Sequence, residues 1–183
     1  MKFATILVAS LILSLHAQNA NSPANDKLVS SLQALFGPVG ITVEKQVLSA
    51  GDSSQRLTAQ LGGQIGITGL GAAPVLTVLK REKSVGPPAR RRALELSPDL
   101  LVVASLDAQG RLRDWTLLHD PRTVRAEFPA SNGQLAGARL NVANPLCIVD
   151  IPDDPAVTEI RIYQPVWSGP SYGLALIGRT GAQ

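Results

Sequence analysis

From Ile41 onward the chain repeats with a period of two. ITVEKQVL sets Ile41, Val43, Lys45 and Val47 on one face, and RLTAQL does the same with Leu57, Ala59 and Leu61. Successive side chains of a strand point to opposite faces, so this alternation predicts strands with one side buried. Ten further short runs follow: QIGIT, PVLTVLKR, RRALEL, LLVVASL, RLRDWTLL, TVRAEF, ARLNV, LCIVDI, TEIRIYQ and YGLALIG. Turn sequences such as GAAP, VGPP, LSPD, DAQG, HDPR, PASNG, ANP and PDDP separate them. Parallel strands need long crossovers, usually helical, and no long helical pattern interleaves these runs. The pattern therefore predicts an all-β fold, an antiparallel β-sandwich. LLVVASL and RLRDWTLL, joined by DAQG, form its clearest hairpin, with glycine supplying the positive φ that folds the second strand back.

The first residues obey a different rule. MKFATILVASLILSLHAQNA carries one cation at Lys2, an apolar run from Phe3 to Leu15, and small residues at Ala17 and Ala20. This is the layout of a secretory signal peptide, with a run too short to span a bilayer comfortably. Residues 1–17 are read as that signal, with cleavage as late as 20 equally compatible. The chain is expected to be exported, periplasmic in a Gram-negative bacterium or secreted, and soluble afterwards. Residues 18–38 form an N-terminal segment with a short helix: Ser22 and Pro23 suit its start, Leu28, Val29, Leu32, Leu35 and Phe36 share a face, and Gly37-Pro38 stops it. Residues 39–183 are the sandwich domain, long enough to bury roughly two thirds of its unfolded surface without staples.

Composition narrows the chemistry. The single cysteine, Cys147, allows no disulfide within the chain and sits in LCIVDI, a strand, as a small buried hydrophobe. Without Lys2, sixteen basic residues face fourteen acidic ones, a net charge of +2. Lys80, Arg81, Lys83, Arg90, Arg91 and Arg92 nevertheless fall within thirteen residues, with Glu82 the only acid among them. That clustering makes one surface locally positive, and the Arg90, Arg91 and Arg92 loop is a candidate polyanion site.

Catalytic readings fare less well against structural ones. His119-Asp120 precedes Pro121, and aspartate before proline opens a turn, so HDPR reads as a corner between strands. GPSYG, Gly169 to Gly173, matches the nucleophile-elbow pattern around Ser171, but no Asp, Glu or His follows it and YGLALIG reads as a strand rather than a helix. Gly69-Leu70-Gly71 lacks the third glycine and the βαβ unit of a nucleotide site. Zinc would need more ligands than one histidine and one cysteine, and Asp150, Asp153 and Asp154 crowd a turn that Pro152 and Pro155 already explain without calcium. No cofactor or metal is expected.

IYQPVWSGPSY places Tyr163, Trp167 and Tyr172 within ten residues, a candidate contact cluster for a partner if exposed and a sandwich cap if buried. LDAQGRLRDW resembles the closing hairpin of small exported immunoglobulin-like or transthyretin-like modules; the resemblance implies the fold class and carries no site residues across. The reading reached from sequence is an exported, non-catalytic binding or accessory module that docks on another envelope or secreted protein. Its competitors are a small hydrolase or lyase centred on His119, with Asp120 or Glu127 and a serine, and a polyanion binder acting through Arg90 to Arg92.

Overall fold

A computed structural model describes residues 23–44, 53–62, 75–86, 95–129 and 133–182. The signal segment, QIGIT, the Gly69-Leu70-Gly71 stretch and Arg90 to Arg92 lie outside these residues.

Helix α1 spans Pro23–Phe36, the bounds that its proline start and its Gly-Pro stop predict. A single 3-10 turn, Gly37–Val39, follows. The backbone N–H of Val43 donates to the Gln33 side chain (3.0 Å), which folds the outgoing chain back along the helix. Among the described residues nine strands follow: β1 Ser53–Gly62, β2 Val75–Val85, β3 Leu100–Leu106, β4 Leu112–His119, β5 Thr123–Pro129, β6 Leu135–Asn141, β7 Leu146–Pro152, β8 Glu159–Trp167 and β9 Tyr172–Gly181. Seven make one continuous sheet in the order β4-β3-β8-β9-β2-β1-β7, and β5 pairs only with β6 in a separate two-stranded ribbon. Every pairing is antiparallel except β2 with β9. The fold is therefore all-β with one short helix, as its alternation predicts.

LLVVASL, strand β3, does not alternate in burial: all seven of its side chains are buried. Its two faces serve two cores. On one face Val102, Ala104 and Leu106 meet Leu32, Leu35 and Phe36 of α1, together with Ile41, Trp115, Leu117 and Tyr163. On the other, Leu101 and Val103 pack with Ile160 and Ile162 of β8 against Leu57, Ala59, Cys147, Val149 and Ile151 from β1 and β7. The sheet has to coil to bring β1 and β7 over β3 and β8, and its two edge strands, β4 and β7, approach one another. Gly178 sits against this core: a Cβ there would stand 3.3 Å from Leu61 and 3.4 Å from Leu76, so Leu61 would have to give by a few tenths of an ångström.

The β3–β4 turn closes as its DAQG sequence predicts. Gly110 takes φ 74°, and its N–H donates to the Asp107 carbonyl (3.0 Å). The Asp107 carboxylate also accepts the backbone N–H groups of Gln109 (3.0 Å) and Arg111 (2.9 Å).

Phe36 is fully buried and meets Tyr163 edge-on, ring centroids 6.3 Å apart at 74°. Phe36→Ala empties that contact and is expected to lower stability by about 3–5 kcal/mol in urea unfolding. A loss under about 1 kcal/mol would show that the helix does not pack there.

Candidate functional site

The three aromatics of IYQPVWSGPSY part company in the structure. A register shift between Ile162 and Tyr163 turns Tyr163 toward the helix, and beyond it the β8–β9 hairpin runs in plain antiparallel register. Tyr163 faces Leu176, Pro165 faces Leu174 and Trp167 faces Tyr172, so these pairs form one stripe on one side of the hairpin. At its inner end Tyr163 is 2% exposed and belongs to the core, so it presents nothing to a partner. At its outer end Trp167 is 58% exposed beside Val166. The Trp167 and Tyr172 rings meet edge-on at 5.0 Å, which fixes them as a unit rather than as two loose side chains. The turn beneath them is closed by Ser168, whose N–H (3.0 Å) and hydroxyl (2.9 Å) both donate to the Ser171 carbonyl. Ser171 is thus part of a strand-to-strand turn, not of a nucleophile elbow.

Register locates this tip. Val102 of β3 pairs Tyr163 and Leu100 pairs His119, so Trp167 lies beyond the start of β3, at the end of the sheet where β4 runs into the ribbon. The ribbon is a feature that sequence reading missed. Its pairs Val124 with Leu140, Ala126 with Ala138 and Phe128 with Ala136 make one face wholly apolar. Val124, Leu140 and Phe128 are each about half exposed, at 46%, 54% and 47%. The opposite face carries Arg125 and Arg139, which both donate to the Asp99 carboxylate just ahead of β3. The alternation in TVRAEF and ARLNV was legible; that its apolar face would be left about half exposed was not.

His119 and Asp120 form the corner. His119 ends β4 opposite Leu100 and is exposed. The Asp120 carboxylate accepts the Arg122 N–H (2.9 Å) and its guanidinium (2.7 Å), while the Asp120 N–H donates to the Asp99 carbonyl (2.9 Å). Burial alone would raise the Asp120 carboxyl, but its bonds to Arg122 override that and hold it below the ordinary carboxylate range. Asp150, Asp153 and Asp154 take separate partners: Arg56 (2.9 Å), Lys83 (3.2 Å) and Arg113 (2.9 Å). Among the described residues no group of three or more His, Cys, Asp or Glu could hold a metal ion. Burial pushes the Cys147 thiol up to about 11, so it stays protonated and bonds the Ala59 carbonyl (3.4 Å) as part of the core.

The sequence matches no family model, and no curated protein or solved structure matches it either.

A carboxyl held low in the folded state stabilises the fold above its unfolded value, about 4, and loses that contribution as pH falls through the folded value. Asp120→Asn should therefore cost about 1–3 kcal/mol at pH 7, a difference that closes on acidification below about pH 4. A deficit that stays constant from neutral pH to strong acid would contradict the Arg122 account.

Proposed function

We propose that the chain is an exported, non-catalytic binding or accessory module that docks on another envelope or secreted protein through the sheet end bearing Trp167 and Tyr172. One observation carries the reading: an edge-on aromatic pair, with Trp167 exposed and Tyr172 half-buried, stands at a hairpin tip, at the end from which the apolar ribbon also projects. Exposed aromatics held in place lose little entropy on binding, and such residues dominate interface energetics. Isolated surface hydrophobics are ordinary, but aromatic and aliphatic side chains grouped at one end mark an interaction surface.

The non-catalytic part of the proposal is supported by what the candidate chemical groups already do. Asp120 shapes a turn and holds Arg122, and Ser171 closes a hairpin. Export is supported by residues 1–17 as read from sequence. We take the two layers that the coiled sheet forms around β3 and β8 as support for a sandwich of the immunoglobulin-like or transthyretin-like kind. The Arg90 to Arg92 loop stays in the proposal as an accessory anionic contact.

The test is capture by the tagged protein from its own envelope and culture fluid, with the parent and Trp167→Ala compared. The proposal expects one stoichiometric protein with the parent and a loss of at least tenfold with the variant, whose unfolding curve should move by under about 0.5 kcal/mol. Capture undiminished by Trp167→Ala would place the interface elsewhere, and a captured activity abolished by His119→Ala would restore the enzyme reading.

A further inference from the structure

Strand β2 is paired with β1 along its whole length, yet among the described residues it shares a single rung with β9, Val75 opposite Arg179. Strand β2 also carries an irregularity against β1. Thr58 faces Lys80 and Ala59 faces Val78, which leaves Leu79 as an extra residue in the ladder. A bulge bends the strand that carries it and adds twist, and β9 ends at Gly181, two residues past the shared rung, so β2 runs on beyond the end of β9.

A groove of about 540 Å³ lies there, bounded on one side by Leu76 to Arg81 and across it by Thr180 and Gly181. A second hollow of about 380 Å³, bounded by Arg81 to Lys83, Gln55 and Ala182, prolongs it. The face of a strand presents alternate residues, whereas this lining is consecutive. The groove therefore runs along the edge of β2, where backbone N–H and C=O groups point. Arg81 reaches over the floor and donates to the carbonyls of Gly181 (3.0 Å) and Ala182. Leu79, 55% exposed, offers an apolar spot midway.

The charge along this edge is unequal. Lys80, Arg81 and Lys83 stand against Glu82. Lys80 bonds Glu82 (2.8 Å) and Lys83 bonds Asp153 (3.2 Å), but the two lysine side chains are 62% and 81% exposed. Surface pairs of that kind add little stability, so a carboxylate from outside can take either lysine at small cost.

We propose that this groove binds an extended acidic segment of another protein, added as a strand along β2 from Thr77 to Lys83, with an apolar side chain on Leu79 and carboxylates on Lys80 and Lys83. The edge selects an extended backbone, the bulge sets its position, and the lysines select its charge. This site is separate from the Trp167 end and stands whether or not that end docks a partner.

An acetylated and amidated heptapeptide of valine and threonine with two glutamates three positions apart, so that one carboxylate lies on each face of the added strand, is combined with the purified protein and tests the proposal by NMR and amide hydrogen exchange. It should bind more weakly as salt rises and slow exchange at the outward amides of β2 between Thr77 and Lys83. Leu79→Asp, at an exposed position where the fold should persist, should weaken binding at least tenfold, while Trp167→Ala should leave it unchanged. The proposal is overturned if the peptide does not bind, if a lysine-for-glutamate version binds equally well, or if the slowed amides lie elsewhere. It is also overturned if β2 proves to be covered by a second copy in sedimentation experiments, or if heparin protects the same amides as well as the peptide does.

Discussion

Burial of β3 on both faces is the constraint on which the rest of the structure depends. A strand with seven buried side chains has no solvent side, so each face demands its own cover. Each fully buried aliphatic side chain is worth about 1.5–3 kcal/mol relative to exposure, so leaving either face bare would cost more than a domain of this size can lose. The helix α1 answers one demand, and the coil of the sheet, which carries β1 and β7 over β3 and β8, answers the other. The helix is thus part of the core and not an appendage.

The same arrangement separates what stabilises the protein from what is left to bind. The middle of the sheet is closed by packing. Apolar groups that remain outside it include Leu79 on β2, Leu146 and Ile148 on β7 and, at the Leu100 end of β3, the Trp167 and Tyr172 pair and one face of the β5–β6 ribbon. A two-stranded ribbon is marginal by itself in water. Here its polar face is pinned to Asp99 through Arg125 and Arg139, which holds the apolar face outward. The groove along β2 belongs to the opposite half of the sheet order and lies where β2 runs past the end of β9.

Much of this was legible in the residues, for identifiable reasons. The helix bounds follow from proline at one end and Gly-Pro at the other, both of which act within a turn or two. The β3–β4 hairpin follows from Asp107 and Gly110, again local chemistry. The HDPR corner and the buried Cys147 could be read in the same way. Features decided between distant segments could not. TVRAEF alternates like any half-buried strand, and only the tertiary structure shows that its apolar side meets solvent. Tyr163, Pro165 and Trp167 share a face by parity, but how far the helix covers that face, and hence that Tyr163 is core and Trp167 is surface, depends on where α1 stops. Leu79 looks like an ordinary strand residue until its neighbours on β1 reveal the bulge.

The central claim is that stability resides in the doubly covered pair β3 and β8 while the ribbon is left as a peripheral arm. Native-state amide hydrogen exchange measures this directly, strand by strand. The account predicts that the slowest amides, opening only with global unfolding, lie in Leu101 to Leu106 and Ile160 to Tyr163, and that those of Val124 to Phe128 and Ala136 to Leu140 exchange several orders of magnitude faster. Ribbon amides as slow as those of β3 in the isolated protein would contradict it, because the ribbon would then be part of the core and not a surface held ready for a partner.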